Sequence, residues 1–325
     1  VPLYVLAIAA GVYVGWMVPD AASGLAVVIT PALAVLLFAT FLGVPFNEIA
    51  RSFRDMHFLA TVCIVNFVAV PVVVWALSRF VADERGLLVG VLLVLLTPCV
   101  DYVVVFVGLA GGARARLLAA TPLLMLLQIV LLPLYLLVLA GPGIAALIDP
   151  APFVTAFVVL IALPLAAAGT VQVIARSSGF ARGGGVKTGT AVARGIRTGM
   201  AGAMVPLMMA TLFAVFASQT AAVGAEVLAL LRLVPLYAVF LAVMLGVGLV
   251  AARIARVDIA GTRALVFSGA TRNSLVVLPL ALALPDTLAL APLAVVTQTL
   301  VELVGMVVFV RLVPRLTPPR PRAGA

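Results

Sequence analysis

Long apolar runs separated by short polar stretches dominate the chain. A bilayer core needs about 20 apolar residues per helix. Ten runs fit that length: 2–18, 25–43, 57–79, 87–110, 115–140, 151–175, 197–219, 226–251, 262–285 and 289–313. Connections are short except at 176–196, a Gly-, Ser- and Arg-rich stretch that reads as a linker. Two runs are interrupted. The fourth, LLTPCVDYVVVFVGLAGG (95–112), breaks at Pro98, Cys99 and Asp101. The ninth, ALVFSGATRNSLVVLPLALALP (264–285), breaks at Ser268, Gly269, Thr271, Arg272 and Asn273. Lipid cannot hydrogen-bond exposed backbone, so such breaks must face protein or a watery cavity.

The positions of the basic residues turn this pattern into a topology. Sixteen of the 20 Lys and Arg fall on alternate connections and at the C-terminal end, whereas Arg79 and Arg85 alone fall on the other side. Arg232 and Arg272 lie within spans. By the positive-inside rule, that split predicts ten helices with both termini cytoplasmic, in the cell inner (plasma) membrane. The expected fold is an all-α membrane protein of ten transmembrane helices in two inverted five-helix repeats. Residues 1–140 form the first repeat and 141–315 the second, and 316–325 a disordered basic tail. Broken helices 4 and 9 occupy matching positions in the two repeats, the arrangement that marks a transporter's midplane substrate site.

Composition excludes other classes. The chain is 65% hydrophobic and 10% charged, with mean hydropathy +1.34, against roughly 45–50% apolar and about 25% charged in soluble domains. The formal charge of +9 is explained by the basic connections, so no nucleic-acid partner is expected. His57 is the single histidine and Cys63 and Cys99 the two cysteines, which excludes a multi-histidine metal centre and a disulfide framework. No catalytic triad or nucleotide loop is present, so no enzyme activity or cofactor is expected. The first span has no basic flank or clear cleavage site, so no cleavable signal peptide is expected.

The Pro98-Cys99 break followed by VVVFVGLAGG, the break FSGATRNSLVVLPLALAL, and LVELVGMVVFV in the last span resemble the bile acid/sodium symporter superfamily, and within it the arsenite permease branch. The resemblance runs through nearly the whole chain. It implies a core of helices 3–5 and 8–10 moving against a panel of helices 1, 2, 6 and 7. It also implies roles for two residues. Cys99 stands at the place of an essential cysteine in the broken fourth helix, and Glu302 at that of an essential glutamate in the tenth. The chain departs from the family pattern at Asp101 and Tyr102, where small or apolar residues are common, and at Arg272. Sodium-coupled members tend to place a cation-binding glutamate in the ninth-helix break. An arginine there repels sodium, so sodium coupling is not expected.

The chemistry of the candidate residues fits a transporter of trivalent metalloid. Thiolates are soft ligands suited to thiophilic species, and a single thiol at Cys99 makes a weak, reversible metalloid contact. Cys63, in an unbroken span, reads as packing. Glu302 lies near mid-membrane, where a charge costs about 2.5–3.5 kcal/mol on insertion scales and needs a partner or a role. It is the candidate proton-coupling residue, and an ion pair with Arg272 is the structural alternative. Asp101 and Arg272 either pair across the crossing, or Arg272 attracts an oxyanion through its planar fork of donors. Thr97, Ser268 and Asn273 complete the candidate substrate site. Asn66 and Gln128 read equally as cavity residues or as interhelical hydrogen bonds, and Arg232 as a side chain snorkelling to the interface.

The expected function is arsenite export in exchange for protons by alternating access. Arsenite is mostly neutral at pH 7, so the membrane potential gives it little direction. The alternative is a proton-coupled or sodium-independent transporter of a small organic anion bound by Arg272. Partners are the substrate, protons and the lipid bilayer; the sequence leaves the oligomeric state open.

Overall fold

The computed structural model describes residues 2–18, 21–43, 55–99, 102–141, 151, 155, 158–177 and 186–318. Asp101, residues 178–185 of the expected linker and residues 319–325 of the expected tail lie outside the described residues. The α-helices in chain order are α1 (Pro2–Met17), α2 (Ala21–Gly43), α3 (Met56–Ile64), α4 (Val70–Ser78), α5 (Arg85–Leu95), α6 (Val103–Leu109), α7 (Arg114–Ala140), α8 (Leu163–Ser177), α9 (Val186–Ala225), α10 (Val227–Leu231), α11 (Leu233–Ile254), α12 (Ile259–Ala270), α13 (Ser274–Leu282) and α14 (Leu290–Leu316). Among the described residues there is no strand, only one isolated antiparallel bridge between Pro98 and Arg272. Residues 186–196, expected as linker, are helical and open α9. Alanine, lysine and arginine there offset the local glycines in helix propensity.

Among the described residues, five helical segments are long and apolar enough to cross a membrane: Met56–Val81, Leu123–Ala140, Gly202–Thr220, Val227–Ile254 and Leu290–Leu316. Four shorter apolar helices accompany them: Leu6–Met17, Val27–Gly43, Arg85–Leu95 and Leu163–Ile174. Val27, Leu228, Val250, Ile254 and Val304 are all exposed, an outward apolar surface that suits acyl chains rather than water.

The chain divides into two compact units. One comprises Val1–Phe46 and Asp149–Glu226. Within it α1 packs along α9, and α2 along α8 and α9. Gly11 and Gly15 make the α1–α9 approach possible: a Cβ at Gly11 would stand 2.6 Å from Phe213 O, and one at Gly15 would meet Ala217 O. Small residues four apart let helix backbones close on each other where lipid supplies no hydrophobic drive. Gln172 Nε2 donates to the α2 terminal carbonyls Phe41 O (3.1 Å) and Leu42 O (3.3 Å), which have no intrahelical N–H partner.

The other unit, Asn47–Ile148 with Val227–Ala325, contains every candidate site residue. Here α14 packs on α5, α11 and α13, and α11 on α12. The α5–α14 contact depends on Gly90, where a Cβ would stand 2.6 Å from Ala291 O and 2.7 Å from Ala294 Cβ. Between α3 and α4 the backbone widens into one π-helical turn, Val65–Ala69. Pro71 explains part of this. It has no N–H to give Phe67 O, four residues earlier, and the Tyr135 hydroxyl donates to that carbonyl instead. Arg116 ties Asp55 (3.3 Å) to Asp258, while Arg263 reaches Ala110 O (2.9 Å) and Thr317 O (2.8 Å).

Arg232 sits at the one-residue break between α10 and α11 and does more than snorkel. It grips Asp83 with both terminal nitrogens (2.8 and 2.7 Å) and donates to Phe80 O (2.9 Å). The guanidinium hydrogen bond holds the Asp83 carboxyl below its ordinary value. Because that value is lowered on folding, the pair's contribution is present at neutral pH and is lost as acid carries the solution down through it. Asp83 is exposed, which keeps the contribution small.

Gly90→Val should lower the thermal unfolding midpoint in detergent, by the equivalent of about 1–3 kcal/mol for overpacking a tight helix contact. Wild-type stability in this variant would show that the α5–α14 approach is not tight.

Candidate functional site

The two breaks meet, and their register accounts for the chemistry around them. Asn273 N donates to Thr97 O (2.9 Å), and Cys99 N donates to Thr271 O (3.2 Å). These two bonds flank Pro98 and Arg272, which face each other as the non-hydrogen-bonded pair of a minimal antiparallel ladder. Proline's missing N–H therefore costs nothing at this position. The same register turns the N–H and C=O of Arg272 away from the partner segment, and both are used elsewhere. Arg272 N donates to Glu302 Oε2 (2.7 Å), and Arg272 O lies 3.1 Å from the Tyr102 hydroxyl.

Local capping sets where each half-helix stops and restarts. Thr97 Oγ1 donates to Leu93 O (2.8 Å) at the end of α5, and Thr271 Oγ1 donates to Phe267 O at the end of α12. Asn273 is the N-cap of α13, its Oδ1 accepting from Val276 N at 3.2 Å, the usual role of a short polar side chain at a helix start.

Glu302, buried on α14, binds this crossing. Its Oε1 contacts the Tyr102 hydroxyl, and its Oε2 accepts from Arg272 N and from Gln298 Nε2, one turn earlier on the same helix. Tyr102 Oη thus touches both a carboxylate oxygen and a carbonyl oxygen, with one proton to give between them.

The Arg272 side chain runs the other way. Its Nη2 donates to Asn66 Oδ1 (2.9 Å), Ser268 O (2.7 Å) and Gly269 O (2.6 Å), and its Nη1 to Leu95 O (3.4 Å). The guanidinium carbon lies 5.7 Å from the centre of the Phe240 ring, within cation–π range. Asn66 in turn donates to Ser268 Oγ (3.0 Å) and Val62 O (3.0 Å). It stands in the π-turn, a distortion often found at functional positions. The alternative ion pair of Glu302 with the Arg272 guanidinium is replaced by a bond to the Arg272 backbone. Among the described residues the guanidinium makes no ion pair at all.

The structure thus gathers Thr97, Cys99, Ser268, Arg272, Asn273 and Glu302 at one buried crossing. Cys99 is fully buried there, one residue from the bridge. Asp101 lies outside the described residues, so its pairing with Arg272 remains an expectation from sequence. Tyr102 joins the site without a role expected from the sequence, and Asn66 and Gln298, polar residues within spans, join it as well. Tyr102 stood out only as a departure from the family pattern, and the signal at Asn66 was the nearby Pro71. Three buried polar atoms, Arg272 Nε, Ser274 Oγ and Gln298 Oε1, have no hydrogen-bond partner among the described residues, an uncommon state for buried polar groups.

Comparison with known proteins bears directly on this geometry. Residues 30–182 match the Sodium Bile acid symporter family. The matched segment is just under half the chain and includes Asn66, Thr97 and Cys99; Arg272 and Glu302 lie beyond it. No curated protein matches the chain. The match supports the superfamily that the motifs resemble, whose members are transporters rather than enzymes. With five span-length apolar helices, the chain is a multi-pass membrane protein.

Asn273→Ala removes the α13 cap and should cost about 1 kcal/mol in thermal unfolding. Pro98→Ala, at a position where no N–H is needed, should cost only about 0.4–1 kcal/mol through the unfolded chain. A larger loss for Pro98→Ala than for Asn273→Ala would contradict the bridge register.

Proposed function

We propose that this chain is a secondary transporter of the bile acid/sodium symporter superfamily that exports arsenite, or a related trivalent metalloid, in exchange for protons. It does so by alternating access, from ten transmembrane helices in inverted repeats in the cell inner membrane, with both termini cytoplasmic. The division of the described helices into two units, one holding both breaks, supports a core-and-panel organisation. The observation that carries the proposal is the contact of Glu302 with both breaks at once, through Arg272 N–H and the Tyr102 hydroxyl.

That contact gives Glu302 two complete hydrogen-bond states. Ionised, it accepts from Tyr102, Arg272 N and Gln298. Protonated, its O–H donates to Tyr102 Oη, and Tyr102 turns its own proton to Arg272 O, 3.1 Å away. Neither state leaves a buried donor of this trio stranded, so proton uptake and release carry a low penalty. The state of the carboxyl is thereby tied to the backbone that holds the crossing together.

Cys99 supplies the soft contact to arsenic. Its thiol proton and one hydroxyl of arsenous acid leave as water when the sulfur–arsenic bond forms, and water restores both on release. Ser274 Oγ and Gln298 Oε1, which have no hydrogen-bond partner among the described residues, are the candidate contacts for the remaining hydroxyls. The organic-anion alternative needs the Arg272 fork, but both its terminal nitrogens are engaged by protein oxygens, which favours the metalloid.

In cells lacking their own arsenite efflux pump, the wild-type chain should restore growth on arsenite, whereas Cys99→Ala and Glu302→Gln should not. Tyr102→Phe should keep the fold but slow proton-driven arsenite flux in vesicles about 10-fold or more, the scale of losing one hydrogen bond to a charged group. No rescue by the wild type, with organic-anion uptake dependent on Arg272, would overturn the metalloid reading.

A further inference from the structure

Arg272 is the bulkiest fully buried side chain among the described residues, and its surroundings are unusual for a guanidinium. Among the described residues the guanidinium meets no carboxylate. It meets four neutral oxygens: the backbone carbonyls of Leu95, Ser268 and Gly269, and Asn66 Oδ1. An aromatic ring, Phe240, covers it. Leu95 is the last residue of α5, and Ser268 and Gly269 lie in the last turn of α12. Two half-helices therefore aim their C-terminal ends at one point in the interior. Carbonyls at a helix C-terminus lack intrahelical partners and carry the negative end of the helix dipole. Neutral carbonyl and amide oxygens converging from interrupted helices are the ligand chemistry of a small monovalent cation.

We propose that this cage is a monovalent-cation site filled permanently by the chain's own side chain. Arg272 is a tethered cation that neutralises the two helix ends without drawing an ion from solution. Removing it leaves a site that takes guanidinium first, because the oxygens are set out for that planar group, and sodium next. Asn66 is the adjustable member: its Oδ1 faces the cation and its Nδ2 is fixed by Val62 O and Ser268 Oγ. The π-turn that carries Asn66 thus reads as part of the cage. The inference concerns the crossing alone and holds whatever the cargo is.

The test is thermal unfolding of purified full-length protein in detergent, in choline chloride against sodium chloride, with and without low-millimolar guanidinium chloride, far below denaturing levels. The wild type should unfold at the same temperature in all of these. Arg272→Ala should unfold early in choline chloride and recover, saturably, by about 3–5 °C with guanidinium or sodium. Asn66→Ala in the same background should abolish the recovery. Where Arg272→Ala cannot be purified, Arg272→Gln takes its place beside Arg272→Lys: the glutamine variant should respond to cations and the lysine variant should not. A wild type stabilised by sodium, or neutral variants indifferent to every cation, would overturn the proposal. The readout involves no substrate, so failure of arsenite transport would leave this result standing, and the converse.

Discussion

A two-bond bridge between Pro98 and Arg272 organises the interior of the larger unit. Each broken segment ends one half-helix and starts another, and unpaired backbone in lipid is costly. Pairing the breaks with each other satisfies Thr97 O, Cys99 N, Thr271 O and Asn273 N together. The register then decides the rest. Because Pro98 and Arg272 form the non-hydrogen-bonded pair, the Arg272 backbone is left to Glu302 and Tyr102. A shift of one residue would either place Pro98 where an N–H is needed or turn the Arg272 backbone away from the carboxylate.

The crossing separates two electrostatic problems that meet at one residue. The Arg272 backbone N–H helps hold a buried acid, while its side chain compensates the carbonyl ends of two half-helices. Direct pairing of Glu302 with the guanidinium would have tied the acid's charge to a fixed cation. As built, Glu302 is held by a backbone amide, a hydroxyl and an amide side chain, groups that tolerate a change in its protonation. In the proposed function this lets the carboxyl change state, which a permanent salt bridge would resist.

Much of this was legible in the sequence, and what was missed has physical reasons. Pro98, Cys99 and Asn273 stand out because polar and helix-breaking residues are rare within apolar runs, so the breaks are legible in the sequence. Glu302 stands out for the same reason. Their mutual register was not legible, since hydrogen-bond pairing between segments some 170 residues apart leaves no local periodicity. The neutral oxygens around Arg272 are not legible, because charge complementarity suggests carboxylates, whereas the helix ends that supply those oxygens exist only in the folded chain. The sequence leaves Asn66 open because one asparagine in a span commonly makes an interhelical bond, and the π-turn that presents it depends on Pro71 and Tyr135 together. The grip of Arg232 on Asp83 is not legible because Asp83 lies in a distant connection.

The central claim of the proposed function is that cargo binding at Cys99 drives proton release from Glu302 at the same crossing. The most direct measurement is proton release on arsenite binding to the purified protein in weakly buffered detergent solution, followed with a pH indicator. Forming the sulfur–arsenic bond at Cys99 releases only water, so any proton must come from elsewhere. The account predicts saturable proton release from the wild type and none from Glu302→Gln. Arsenite binding to the wild type without proton release, or equal release from Glu302→Gln, would contradict it.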